Sequence, residues 1–313
     1  MYDEIARLAM ETAQEIMMRS GNLEWITICD DVAAHPHPIR ALVTRRRPSS
    51  SGNTLLVATG KGKVRCGIFS RQHLLTSSVE SSTALPMVRD ATIRGMRVIL
   101  LDPNARGDRA GMTTFERSME HLVATTTTDD DTNDVLHVLA HSQAGAQLVR
   151  YLKDNCHLTK RIKAVAFTDS NHNIQWVKDN DNLFRLLESQ SCLYFKSGAA
   201  AAGCRERKVA GTEAEVDSFW RHRFGGIKTL WAGTGEHALT NWVARQHIWD
   251  HFDGGVRRCC EGGGDGAVGA GRRVVETERC REKEEVNGNV AASAVAVRRC
   301  HVHHGRLREV TTI

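Results

Sequence analysis

Apolar positions recur with two different spacings along this chain. Over residues 3–19, Ile5, Leu8, Ala9, Thr12 and Ile16 share one face at helical spacing, and Gly21 offers a stop, so the pattern predicts an amphipathic helix. Short β-like runs follow at 25–28 and 39–44. A Pro-Ser-Ser-Ser-Gly-Asn turn at 48–53 separates the second run from an apolar stretch at 55–58, and neighbouring short strands joined in this way predict an antiparallel edge. From there the pattern alternates. Continuous apolar runs at 54–59, 96–101, 135–140, 163–168 and 227–232 are separated, for the most part, by helix-like stretches at 85–94, 114–124, 143–153 and 180–189. A strand that is apolar throughout is buried on both faces. The alternation therefore predicts an α/β fold with a mostly parallel, doubly wound sheet flanked by helices. A last helix at 240–252, with Trp242, Ile248, Trp249 and Phe252, is expected to pack on one face of that sheet.

Two stretches fall outside this pattern. Residues 125–131, Thr-Thr-Thr-Thr-Asp-Asp-Asp, read as an exposed loop. Residues 254–313 are rich in glycine, arginine, valine and cysteine, hold no aromatic residue, and have Leu307 as their only leucine. Such a segment has little large apolar surface to set against the entropy of ordering it. The expected organisation is a domain at 1–253 followed by a low-complexity or disordered tail at 254–313. The tail's Cys300, His301, His303 and His304 are not read as a specific metal site.

Composition narrows the function classes. The 313 residues suffice for one large domain with an ample core. Net charge is +5, from 42 Lys+Arg against 37 Asp+Glu, too mild and too well mixed to argue for a nucleic-acid surface. With few aromatic residues there is no stacking platform for RNA either. The nine cysteines are scattered without a Cys-x-x-Cys pair, which indicates neither a disulfide framework nor a zinc finger. The opening Met-Tyr-Asp-Glu is acidic and unlike a secretory leader, and no apolar run approaches the roughly 20 residues of a membrane span. A reducing location, nuclear and/or cytoplasmic, is expected, with no membrane association and no cofactor.

The chemistry concentrates at Ser142. An apolar strand runs into Ala140-His141-Ser142-Gln143-Ala144-Gly145 and continues as a helix, the layout of a nucleophile elbow with alanine at the two positions usually held by glycine. A serine nucleophile needs a base, a group that orients the base, and donors for the developing oxyanion. Asp169 follows the 163–168 strand and His237 follows the 227–232 strand, so Ser142, Asp169 and His237 come in hydrolase order. Asp169 lies one strand earlier than expected and reads equally as an Asx-turn or N-cap residue. His172 is a second candidate base, or a satisfied buried histidine. The Gly60-Lys61-Gly62 turn after the 54–59 strand sits where a second oxyanion donor arises, the first being the Gln143 amide. A phosphate-loop reading fails because no Gly-Lys-Ser/Thr follows. Lys61, Lys63 and Arg65 would favour an acidic ligand, although charged loop residues are usually just solvated.

Several stretches together resemble one family, the Argonaute-binding-protein-two (Arb-type) domain. They are Leu-Leu-Val-Ala-Thr-Gly-Lys-Gly-Lys-Val-Arg-Cys-Gly at 55–67, Val-Ile-Leu-Leu-Asp-Pro-Asn at 98–104, Ala-His-Ser-Gln-Ala-Gly at 140–145, Phe-Thr-Asp-Ser-Asn-His-Asn at 167–173 and Ala-Gly-Thr-Gly-Glu-His-Ala-Leu-Thr-Asn-Trp at 232–242. The resemblance covers about residues 2–253. It implies an α/β-hydrolase-like fold and a role in small-RNA-guided heterochromatin silencing or cotranscriptional RNA processing, through Argonaute or chromatin-associated partners. It also carries Ser142, Asp169, His172 and His237 over as site residues. The chain departs from the family at Thr59-Gly60-Lys61-Gly62, at Gly235 and Ala238 beside the late histidine, and in a longer, more polar stretch between Gly198 and Gly226. Those departures favour an interaction module with weak or vestigial serine-hydrolase machinery. The alternative is an active serine esterase or acyl hydrolase using Ser142, Asp169 and His237.

Overall fold

A computed structural model describes residues 1–29, 37–45, 52–124, 135–198 and 209–254. The expected loop at 125–131, most of the turn at 48–53, and all of the tail but its first residue, with its Cys/His cluster, lie outside the described residues.

Helix α1 (Tyr2–Gly21) carries Asp3 and Glu4 in its first turn and closes on Asn22, whose left-handed φ of 48° lets its N–H donate to the Met18 carbonyl. Strands β1 (Leu23–Cys29), β2 (Ile39–Thr44) and β3 (Asn53–Ala58) follow. Helices α2 (Arg71–Thr76), α3 (Val79–Ser82) and α4 (Leu85–Ile93) lead to β4 (Arg97–Leu101). Then α5 (Gly111–Met119), β5 (Val135–His141), α6 (Gln143–Asp154), β6 (Ile162–Thr168), α7 (Asp181–Glu188) and β7 (Cys192–Lys196) alternate. The described chain ends with α8 (Ser218–Phe224), β8 (Lys228–Trp231), α9 (Thr240–Val243) and α10 (Arg245–Phe252).

The strands form one eight-stranded sheet in the order β1-β2-β4-β3-β5-β6-β7-β8. β2 is antiparallel to both β1 and β4, and every other neighbouring pair is parallel. This is an α/β-hydrolase-like fold. The continuous apolar runs are explained by the pleat, because alternate residues of each strand feed different cores. Leu56, Ala58, Ile99, Val138, Ala140, Val165 and Phe167 pack with Phe115, Tyr151 and Leu183 on one face. Leu55, Val57, Val98, Leu100, Leu139 and Ala166 pack with Met17, Val88 and Trp249 on the other.

Three expectations change. The antiparallel edge forms between β1 and β2, but β2 does not pair with β3, since the crossover through α2–α4 inserts β4 between them. Strand β7 was not expected from the sequence: its apolar run is only residues 192–195, between Ser189-Gln190-Ser191 and Lys196-Ser197, although Cys192, Tyr194 and Phe195 are buried between β6 and β8. The helix expected over 240–252 breaks at Ala244, and Trp242 faces solvent with the Arg245 guanidinium 5.2 Å from its ring centroid.

The sharpest packing constraint lies at the start of α6. A Cβ on Gly145 would sit 1.9 Å from Ser170 Oγ and 2.7 Å from Ser170 Cβ, so α6 approaches the β6 end more closely than any side chain allows. Gly145→Ala is expected to cost about 1–3 kcal/mol of unfolding free energy in urea denaturation. Combined with Ser170→Gly it should cost measurably less than the sum of the two single changes. Simple additivity would contradict the contact.

Candidate active site

Strand β5 ends at His141, and the chain turns at Ser142 with φ 55° and ψ −121° before entering α6. Positive φ is uncommon for a residue with a Cβ. Here it marks the strained strand-to-helix elbow. The turn is held by Ser142 N–H donating to the Thr168 carbonyl at 2.9 Å, and by the Asn171 amide donating to the Ser142 carbonyl at 3.3 Å. Ala140 and Ala144, two residues before and two after the serine, are fully buried.

The glycine turn after β3 lies directly against the serine. A Cβ on Gly60 would stand 2.8 Å from Ser142 Cβ and 3.1 Å from its Oγ. The Gly60 carbonyl is pinned by the buried Asn104 amide group at 2.8 Å, and the Asn104 carbonyl accepts from Arg65 at 3.0 Å. Gly62 has φ +136°, a conformation that suits glycine. Lys61 points outward, 3.9 Å from Asp108 in an exposed ion pair. Gln143 is the first residue of α6, so its N–H belongs to the helix-end amides that lack intrahelical partners. Its side-chain oxygen accepts from Asn171 at 2.6 Å, and the Asn171 carbonyl accepts from Arg223 of α8 at 2.8 Å.

The acid and base meet. Asp169, at the end of β6 with φ 46°, accepts a hydrogen bond from His237 Nδ1 at 2.9 Å. Its other partners come from Ser197, whose N–H donates at 2.7 Å and whose hydroxyl donates to the oxygen that His237 also uses. With its proton on Nδ1, the imidazole keeps a bare Nε2 for a proton from a nucleophile. Its side chain is 52% exposed. The ring stacks on His141, the residue before the nucleophile, with centroids 4.6 Å apart. Among the described residues no hydrogen bond joins Ser142 Oγ to His237. Such contacts commonly tighten only when substrate binds.

His172 is placed elsewhere. It is buried, with Nδ1 2.8 Å from Ser170 Oγ and its ring against Phe167 and Phe224, and among the described residues its Nε2 has no hydrogen-bond partner. It therefore occupies an aromatic nest beneath the β6–β7 end, apart from the Asp169–His237 pair. Sequence reasoning assigned no role to Ser197, Asn104, His141, Thr168 or Asn241. All but Ser197 fall within the quoted motifs. Ser197 follows the strand that was not expected.

Cavities of about 520 and 530 Å³ open beside α1 and beside the 62–65 turn, and neither is lined by Ser142. Among the described residues no cluster of three or more His, Cys, Asp or Glu is placed to hold a metal ion, and no helix is long and apolar enough to cross a membrane.

No family model matches the chain. Over 103 residues, 33% of this chain, it is 21% identical to the cotranscriptional regulator ARB2A of Homo sapiens, and the match spans 25% of that curated relative's length. Among solved structures it is similar to a histone deacetylase from Saccharomyces cerevisiae, with a TM-score of 0.46 and 11% identity over 82% of this chain and 99% of that one. It is also similar to an esterase from Pyrobaculum calidifontis, with a TM-score of 0.44 and 13% identity over 81% and 93%.

Burial sets the charges around the site. Burial, with His237 nearby, lowers the His141 pKa to about 3, and burial, with Arg223 nearby, lowers that of His172 to about 3. Burial also raises the Asp102 carboxyl to about 6, against the pull of Arg65. Burial pushes Asp169 up, but hydrogen bonds from His237 and Ser197 hold it below its usual value. Both histidines stay neutral when folded and take up protons below about pH 6.5 when unfolded. Each therefore withdraws stability progressively as pH falls from about 6.5 toward 3. Asp102 acts oppositely, its contribution being present below about pH 4 and lost as pH rises through 6. The net expectation is a loss on the order of 2–3 kcal/mol between pH 7 and pH 5, measured by urea unfolding. His172→Phe should make that slope shallower, and a wild type equally stable at both pH values would contradict the account.

Proposed function

We propose that this chain is a serine acyl hydrolase with Ser142 as nucleophile, His237 as general base and Asp169 as the acid that orients it. The observation that carries the reading is the 2.9 Å hydrogen bond from His237 Nδ1 to Asp169, formed at the strand ends beside an elbow serine with positive φ. Ser142 Oγ attacks the substrate carbonyl carbon while its proton passes to His237 Nε2. Asp169 keeps the imidazole in the correct tautomer and stabilises the imidazolium. The Gln143 amide and the amides of the 60–62 turn receive the oxyanion. The leaving group departs with the proton from His237. Water, deprotonated by the same imidazole, then cleaves the acyl-serine and restores the hydroxyl.

A second reading is favoured by the 103-residue likeness to a cotranscriptional regulator. In it the chain is an Arb-type interaction module, nuclear and/or cytoplasmic, that contacts Argonaute or chromatin-associated proteins in small-RNA-linked silencing or cotranscriptional RNA processing. The same residues would then be vestigial.

Hydrolysis of short p-nitrophenyl esters by the full chain separates the two. Ser142→Ala should abolish it, and Asp169→Asn should lower kcat by on the order of 10³–10⁴. Turnover that survives Ser142→Ala would overturn the hydrolase reading. A folded chain that turns over no ester but binds an Argonaute protein saturably would replace it with the second.

A further inference from the structure

The Asp169 contact fixes one edge of the His237 ring but leaves rotation about that bond open, and a half-exposed imidazole needs a second restraint. The structure supplies one in His141. This residue is 2% exposed, and its ring packs edge-on to Phe69 with centroids 5.3 Å apart. It also meets the His237 ring, with centroids 4.6 Å apart and the two planes tilted by 36°. Its orientation is locked from behind. Thr168 donates its hydroxyl proton to Asn241 Oδ1 at 2.7 Å, so the Thr168 oxygen is left to accept from His141 Nδ1 at 3.2 Å. Asn241 in turn belongs to α9, which directly follows the turn carrying His237, and Thr240 Oγ1 donates to the His237 carbonyl at 2.8 Å. One buried chain of polar contacts thus ties the ends of β5 and β6 to the segment that presents the base.

From this arrangement we propose that His141 is a positioning residue for His237, an aromatic shelf that sets the plane of the base. Because the shelf stays uncharged, it does not repel the imidazolium that forms when Ser142 gives up its proton. The face of an aromatic ring also favours a cation stacked on it. A purely space-filling role would be met by any side chain of similar size. The shelf requires a ring.

The proposal rests on the hydrolase reading for its kinetic test but not for its spectroscopic one. His141→Phe keeps the ring and gives up the bond to Thr168, whereas His141→Asn keeps a polar partner and gives up the ring. With a fluorophosphonate probe, the Phe variant should label within about threefold of wild type and the Asn variant at least about tenfold more slowly, at comparable thermal stability. Long-range proton–nitrogen spectra of the histidine rings, with His237→Gln for assignment, should show His237 as a single Nδ1–H tautomer in wild type and His141→Phe. A tautomer mixture is expected in His141→Asn. Equal behaviour of the two variants, or loss in Phe as large as in Asn, overturns the shelf. A wild type that takes no label but shows the expected spectra overturns the hydrolase reading alone, and uniform spectra across all three proteins overturn the positioning role.

Discussion

Two backbone approaches too close for any side chain hold this fold around its serine. Gly145 at the start of α6 meets Ser170 beyond β6, and Gly60 beyond β3 meets Ser142 beyond β5. Together they draw the carboxyl ends of β3, β5 and β6 into one small volume. The elbow at Ser142, with φ 55°, lies there between the glycine turn and the first residue of α6, Gln143. Dense packing on both sides of the sheet stabilises what would otherwise be an unfavourable local conformation.

The acid works from the strand next to the nucleophile strand because of a second strained residue. Asp169, also at positive φ, directs its carboxylate toward β7 and the 237–239 turn rather than back onto its own backbone. An Asx-turn would have satisfied the same carboxylate locally. Instead Ser197 and His237 satisfy it from two other elements, and those bonds keep it ionised although it is largely buried. The base is then held on one edge by charge and on one face by a ring that burial keeps neutral.

How much of this could be read from the sequence depended on whether the signal was local. The apolar runs of β3, β4, β5, β6 and β8 declared themselves because burial on both faces makes them predominantly apolar, with Thr54, His137, Lys163 and Thr229 as polar interruptions. Strand β7 offers only the apolar residues 192–195 between polar neighbours, and its place between β6 and β8 identifies it. With it went Ser197, whose clamp on Asp169 has no mark in the local sequence. The elbow residues and the order Ser142, Asp169, His237 were legible because turn chemistry demands small neighbours and the topology orders strand ends. The place of His172 was not, since a histidine beside a strand end reads the same whether it faces the cleft or an aromatic nest. Trp242 misled for a related reason: helical spacing places it with Trp249, but the break at Ala244 turns it outward.

Everything functional in this account depends on the Ser142 hydroxyl being activated by the pair behind it. Mass-spectrometric peptide mapping of the full chain after fluorophosphonate treatment tests that point. A single adduct on the peptide containing Ser142, absent when His237 is replaced by Gln, is the predicted result. A folded chain that carries no adduct, or one whose adduct forms at another serine and survives the His237 replacement, would contradict it.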